Sequence, residues 1–305
     1  MIVTRKHEIL SLWGVLALCL GTSYAAPGTA PSDYTGSWGG IIVYGDFDIS
    51  DPAAIPVAIN AHSVNLDVSV SANPSRDLDL SLTDATNNAN HLATSLDVVC
   101  PNCVARPPVR NMAWPGGWPE MGNHLVDLLL VSEGNVMAMN IVGQLDTNPA
   151  DTGFLYAAWQ KTPTEIARDD FIGTWKTSNN HDNYNIRNAG EDWNLEPWDT
   201  FTLEAGSAAD RIAFGDGPLA GVELLVEGNR AHLTGKTGNL LTFDIVHGGD
   251  ALAFVVVGQE DYDLSDISLG LGTASMVPVP AAAWLFGSAV LTLTGIARRR
   301  RVGRL

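Results

Sequence analysis

Cysteine is nearly absent from this chain: there are three in 305 residues, at positions 19, 100 and 103. A four-cysteine zinc site is therefore excluded for a single chain. Basic residues are scarce as well. Of 17 Lys and Arg, ten lie between residues 26 and 297, against 33 of the 34 acidic residues, so this stretch carries a net charge of about −23. Nucleic acid and anionic lipid are held by basic side chains that neutralise phosphates. No nucleic-acid partner fits such a surface. Recognisable catalytic motifs are also missing: there is no Gly-x-Ser-x-Gly elbow, no His-Glu-x-x-His helix and no phosphate-cradling Gly-rich loop. His62, His91, His124, His181, His232 and His247 share no ligand spacing. The chain reads as non-enzymatic, with no catalytic residue and no cofactor.

What is present begins at the ends. Arg5 and Lys6 precede an apolar run from Ile9 to Gly21, followed by Thr22-Ser-Tyr-Ala25-Ala26-Pro27. A basic start, an apolar stretch too short to span a bilayer and small residues before a proline make a secretory signal peptide, expected over residues 1–26. Leu18 stands before Cys19 where lipidation needs a small residue, so Cys19 is not read as a lipoprotein site. At the other end Val277-Pro278-Val279-Pro280 leads into a charge-free stretch, Ala281 to Ala297, and then Arg298, Arg299, Arg300 and Arg301. The prolines close the folded part. Seventeen residues of helix reach about 26 Å, a short membrane crossing, and the arginines hold the tail in the cytoplasm. The precursor is expected as a hairpin anchored in the inner membrane, with everything between its ends exported.

The order Pro278-x-Pro280, Ala281-Ala-x-Trp284-Leu-x-Gly287-Ser, an apolar helix and the arginine cluster resembles the PEP-CTERM sorting signal, in its Val-Pro-x-Pro-Ala variant form. Val279 stands where the name-giving motif has Glu. The resemblance covers residues 277–301. It implies recognition by an exosortase, a membrane cysteine transpeptidase-like enzyme of Gram-negative bacteria that usually also make exopolysaccharide. The implied partners are that enzyme, the secretion translocon and, for the mature form at the cell surface or outside, exopolysaccharide.

Between the ends, Asp33-Tyr34-Thr-Gly36-Ser37-Trp38 recurs as Asp170-Phe171-Ile-Gly173-Thr174-Trp175. Val126 to Asn135 recurs, more loosely, as Val222 to Asn229, each ending in Glu-Gly-Asn. Period-two alternation in His62 to Ser71 and Leu78 to Leu82 reads as strands with one buried face, and Glu-Gly-Asn as hairpin turns. The fold expected is mainly β, in two related antiparallel units over residues 33–162 and 170–268. The first unit carries an insertion rich in Cys, Trp and Pro, and the linker lies around Pro163. Gly36-Ser-Trp38 and Gly173-Thr-Trp175 resemble the opening of lipocalin-like barrels, in which a Trp plugs the barrel end; an open sandwich fits equally. Either way the two tryptophans are expected in the core.

Three features invite chemistry. Outside the cytoplasm, Cys100 and Cys103 are expected to close a small disulfide loop. Trp114 and Trp118, on a Pro- and Gly-rich loop, offer flat faces for sugar stacking or cover a hydrophobic edge, with Trp193 and Trp198 posing the same alternative. Calcium is conceivable at Asp46-x-Asp48-x-Ser50-Asp51, Asn179 to Asn183 or Asp261-x-Asp263-x-Ser265-Asp266, although none has the spacing of a calcium loop.

Overall fold

The alternating segments fold as strands for the reason the pattern implies. In the segment running from Ile59 to Val70, Val64, Leu66 and Val68 are buried while Ser63, Asn65, Asp67 and Ser69 face out. Each such side chain gains about 1.5 to 3 kcal/mol by leaving water, which commits one face inward. This is a computed structural model. It describes residues 30–48, 59–86, 90–99, 104–106, 112–113, 124–144, 151–162, 164–185, 199–235, 237, 240–259 and 267–277.

The chain is mainly β, in two antiparallel assemblies. The first has nine strands: β1 (Gly36–Asp48), β2 (Ile59–Val70), β3 (Leu78–Asp84), β4 (Asn90–Val99), β5 (Val104–Arg106), β6 (Met112–Ala113), β7 (His124–Glu133), β8 (Val136–Gln144) and β9 (Asp151–Gln160). They run in the order β5-β4-β3-β2-β1-β9-β8-β7-β6, and the sheet curls until β5 meets β7 at one residue pair, Ala105 with Leu130. The second is a closed eight-stranded barrel. Its strands are β10 (Gly173–Asn185), β11 (Thr200–Ala205), β12 (Arg211–Phe214), β13 (Glu223–Glu227), β14 (Arg230–His232), β15 (Leu240–His247), β16 (Ala251–Gln259) and β17 (Ile267–Met276). Each pairs with its neighbour in sequence, and β10 returns to β17, so a barrel forms here rather than an open sandwich.

The repeated opening has one geometry. A short helix α1 (Pro31–Tyr34) precedes β1, and a 3-10 turn (Arg168–Phe171) precedes β10. The Asp33 carboxylate accepts from the Ala30 N–H at 2.9 Å, and Asp170 accepts from Ala167 at 2.7 Å. Trp38 and Trp175 are buried, and each indole N–H donates to the turn's last carbonyl, Tyr34 at 3.0 Å and Phe171 at 2.9 Å. Gly36 sits at φ 133°, where an added Cβ would also strike the Lys161 chain. That same Lys161 lies 5.5 Å over the Trp38 ring.

The second sequence match does not share this equivalence. Gly134-Asn135 turns between β7 and β8, two strands back from the end of the first assembly, whereas Gly228-Asn229 turns between β13 and β14, in the middle of the barrel. Counted from the last strand, the partner of β7 and β8 is β15 and β16. Glu-Gly-Asn is common turn chemistry and here marks hairpins at non-equivalent strand positions.

Both assemblies lie in one compact unit that ends at Met276. No helix among the described residues is long and apolar enough to cross a membrane. The signal peptide and the helix expected after Pro280 lie outside the described residues.

Candidate functional site

Over residues 128–133, 136–141, 156–160, 242–247, 251–257 and 270–274, strands β7, β8, β9 and β15, β16, β17 are buried on both faces. On β8, Met137, Met139 and Ile141 point into the first core, yet Val136, Ala138 and Asn140 between them are also fully buried. On β16, Leu252, Phe254 and Val256 fill the barrel, while Ala251, Ala253, Val255 and Val257 are buried on the outside. These outer faces pack against one another. Two sheets thus meet through small and β-branched residues, and that contact is where the buried polar groups collect.

Tyr156 of β9 donates its hydroxyl to Thr242 Oγ1 of β15 at 2.8 Å. Burial holds the Tyr156 phenol well above its ordinary range, and the nearby Asp244 adds to the effect. Arg230 Nε donates to Asp244 Oδ1 at 2.6 Å; burial raises the Asp244 carboxyl, and Arg230 opposes that rise. Asn135 Nδ2 donates to Thr162 O at 2.8 Å and to Gly248 O at 3.3 Å, tying one hairpin turn to the turn of the other assembly. Glu133 is fully buried beside Thr273, Ser178 and Ser275, none of which meets hydrogen-bond geometry with either carboxylate oxygen. Burial raises its pKa, outweighing the three hydroxyls. His247 accepts the Gly249 N–H at Nδ1, so Nε2 carries the proton and donates to Asp170 O, both at 3.0 Å. Its ring meets Phe171 and Trp175 edge-on, and burial lowers its pKa, so the imidazole is neutral.

Beside this network a cavity of about 210 Å³ opens between the assemblies. Gly39 and Gly40 of β1 and Ala158 and Gln160 of β9 line one side; Glu227, Asn229, Arg230 and Val246 line the other. Asn229 Nδ2 donates to Gln160 Oε1 at 2.7 Å, which orients the Gln160 amide. Gln160 Nε2 is then left without a partner in a side chain only 7% exposed.

Little of the sequence-derived site falls within reach. Val277 is exposed directly after β17. Pro278, Pro280, Ala281, Trp284, Gly287, Arg298, Arg299, Arg300 and Arg301 lie outside the described residues, as do Cys100, Cys103, Trp114, Trp118, Trp193 and Trp198. Val99 and Val104, which flank the cysteines, are paired partners on β4 and β5. For the calcium candidates, Asp46 and Asp48 lie within β1 and Asn179 to Asn183 within β10, while Ser50, Asp51 and Asp261 to Asp266 are outside the described residues. No three His, Cys, Asp or Glu among the described residues form a cluster able to hold a metal. Sequence reasoning passed over Gln160, Glu227, Arg230, Glu133 and His247 as site residues. Only the Gly39-Gly40 pair inside a strand could have signalled a close approach.

No family model matches the chain, and no curated protein matches it. Among solved structures it is similar to a protein of unknown function from the DUF3598 family of Nostoc punctiforme, at 14% identity. That alignment covers 81% of this chain and 97% of the other, with a TM-score of 0.35. A candidate outer membrane protein from Bacteroides fragilis aligns at 8% identity over 81% of this chain and 99% of its own, with a TM-score of 0.25.

Proposed function

We propose that the protein is an exported, exosortase-processed component of the cell envelope or extracellular matrix of a Gram-negative bacterium, with a structural rather than catalytic role. The observation that supports this is where the folded part ends relative to the sequence motif. The last strand of the barrel ends at Met276 and the Val277-Pro278-Val279-Pro280 motif follows at once. Cleavage there would release an intact double β unit without cutting a strand. The buried acids and histidine support the non-catalytic part: Glu133, Asp244 and His247 all sit inside packed contacts rather than on an open surface. On this reading Cys100 and Cys103 form a local disulfide.

The test is processing in cells. The full chain carrying an internal epitope is expressed with and without a functional exosortase, and as a Pro278→Ala, Pro280→Ala variant. The wild-type chain is expected to shorten and leave the inner membrane only when the enzyme is present, and the variant to stay membrane-bound. Equal product length in both strains would refute the assignment, and turnover of any substrate in a broad hydrolase screen would refute the non-catalytic role.

A further inference from the structure

We propose that Glu133, Ser178, Thr273 and Ser275 bind one calcium ion where β7 of the curled sheet meets β10 and β17 of the barrel. The site does not rest on the sorting signal, and either assignment can fail alone. It is marked by what its buried oxygens lack. Glu133 is fully buried, yet neither carboxylate oxygen has a hydrogen-bond partner, and Thr273 Oγ1, fully buried beside it, has none either. Ser178 and Ser275 bring two further hydroxyls to the same carboxylate. The set is made of oxygens alone, the ligands a hard cation takes. A buried charge persists when it is paired or holds a metal. Asp244 is paired, with Arg230 at 2.6 Å, whereas among the described residues the charge that bears on Glu133 is another acid, Asp250. A cation supplies what the chain does not. Only two of these groups are acids, which separates the site from the three-acid clusters that the described residues lack.

Spacing and charge choose the ion. Ser178 Oγ and Ser275 Oγ stand 3.5 Å apart, long for a hydrogen bond between hydroxyls. Two ligands at right angles on calcium, each about 2.3 to 2.6 Å from the ion, lie about 3.3 to 3.7 Å from each other; on magnesium, at about 2.0 to 2.1 Å, they lie about 2.8 to 3.0 Å apart. The observed spacing fits calcium. A monovalent ion would neutralise only one of Glu133 and Asp250. Ser178 and Ser275 are half-buried and Asp250 is exposed, so the group grades from the deep carboxylate to solvent, where water completes the coordination.

Thermal melting of the full chain tests the site, first in chelator and then with calcium, magnesium or, at equal ionic strength, sodium chloride. Calcium at about 10 mM is expected to raise the midpoint by about 3 °C or more, with Kd on the order of 0.1 to 1 mM, and the other two salts by less than about 1 °C. In chelator Glu133→Gln should melt above wild type, because it no longer buries an unpartnered carboxylate, so loss of its calcium response is not loss of the fold. Thr273→Val keeps the side-chain shape and removes an oxygen that bonds nothing else. Each variant should weaken calcium at least about tenfold. Equilibrium dialysis with radioactive calcium should count one ion fewer per chain in Glu133→Gln than in wild type, a difference from which ions held loosely by the acidic surface cancel. No rise with calcium, an equal rise with magnesium, or a calcium response undiminished in either variant would overturn the site.

Discussion

The two assemblies open with the same device and close differently. In both, an indole N–H is bonded to the carbonyl of a preceding turn, and the first strand pairs with the last through a long register. The seam on the far side differs. In the barrel, β14 and β15 share three residue pairs, Arg230 to His232 with Asp244 to Val246; in the curled sheet, among the described residues, β5 and β7 share Ala105 with Leu130. The cores differ in step. Phe201, Phe214, Phe243 and Phe254 form a chain of ring contacts inside the barrel, whereas leucines and methionines predominate around Trp38 and Trp159 in the curled sheet. Interlocking rings fill a closed cylinder; flexible aliphatic side chains tolerate one that is barely closed. In chain order, the segment that holds β6, Trp114 and Trp118 lies between β5 and β7.

The largest effect that can break this comparison is loss of either plug. Trp38→Ala and Trp175→Ala should each cost about 3 to 5 kcal/mol. Because β7, β8, β9 and β15, β16, β17 are buried against each other, both variants should lower one shared urea transition. Two resolved transitions, each moved by only one variant, would show that the assemblies fold independently. Smaller is the effect of Tyr156→Phe, which deletes the 2.8 Å bond to Thr242 across the contact; about 1 to 1.5 kcal/mol should be lost in the same assay.

Two titrations then act in opposite directions. The Glu133 pKa is raised above its ordinary 4.5, so unfolding releases a proton above that pH and the native state loses stability as pH rises through the folded value. Glu133→Gln should therefore melt higher than wild type at pH 7, with the gap closing toward pH 4.5; a lower melting temperature at pH 7 would mean that the carboxylate is satisfied. The His247 pKa is lowered below 6.5, so its contribution is whole above pH 6.5 and is lost as pH falls toward the folded value. Replacing His247 with Phe should flatten that part of the pH profile. The smallest effect is chemical: the mature, unreduced protein should show no thiol reactive to labelling, and robust labelling would remove the proposed Cys100 to Cys103 bond.

Much of the fold was legible because local rules governed it. Alternation placed Val64, Leu66, Val68, Leu78, Leu80 and Leu82 inside, and the Gly-x-Trp openings led to two buried tryptophans, because each depends on neighbours only a few residues away. The second repeat match misled for the same reason: Glu-Gly-Asn specifies a turn and says nothing of which strands the turn connects. The cleft was not legible at all. Gln160, Glu227 and Arg230 belong to strands far apart in sequence, and no spacing rule links an amide on β9 to a guanidinium on β14.

By itself, then, the sequence determined a strongly acidic chain and a β architecture with two related openings, and it carries the expectation of export signals at its ends, since composition, periodicity and short motifs act along the chain. Only the tertiary structure decided that one unit closes fully and the other, among the described residues, at a single pair, Ala105 with Leu130, and that their outer faces pack together. It also decided that Glu133, Asp244 and His247 are buried while Gln160 keeps an unpartnered donor. Burial and pairing between distant strands depend on which surfaces meet, and that is a property of packing rather than of any local segment.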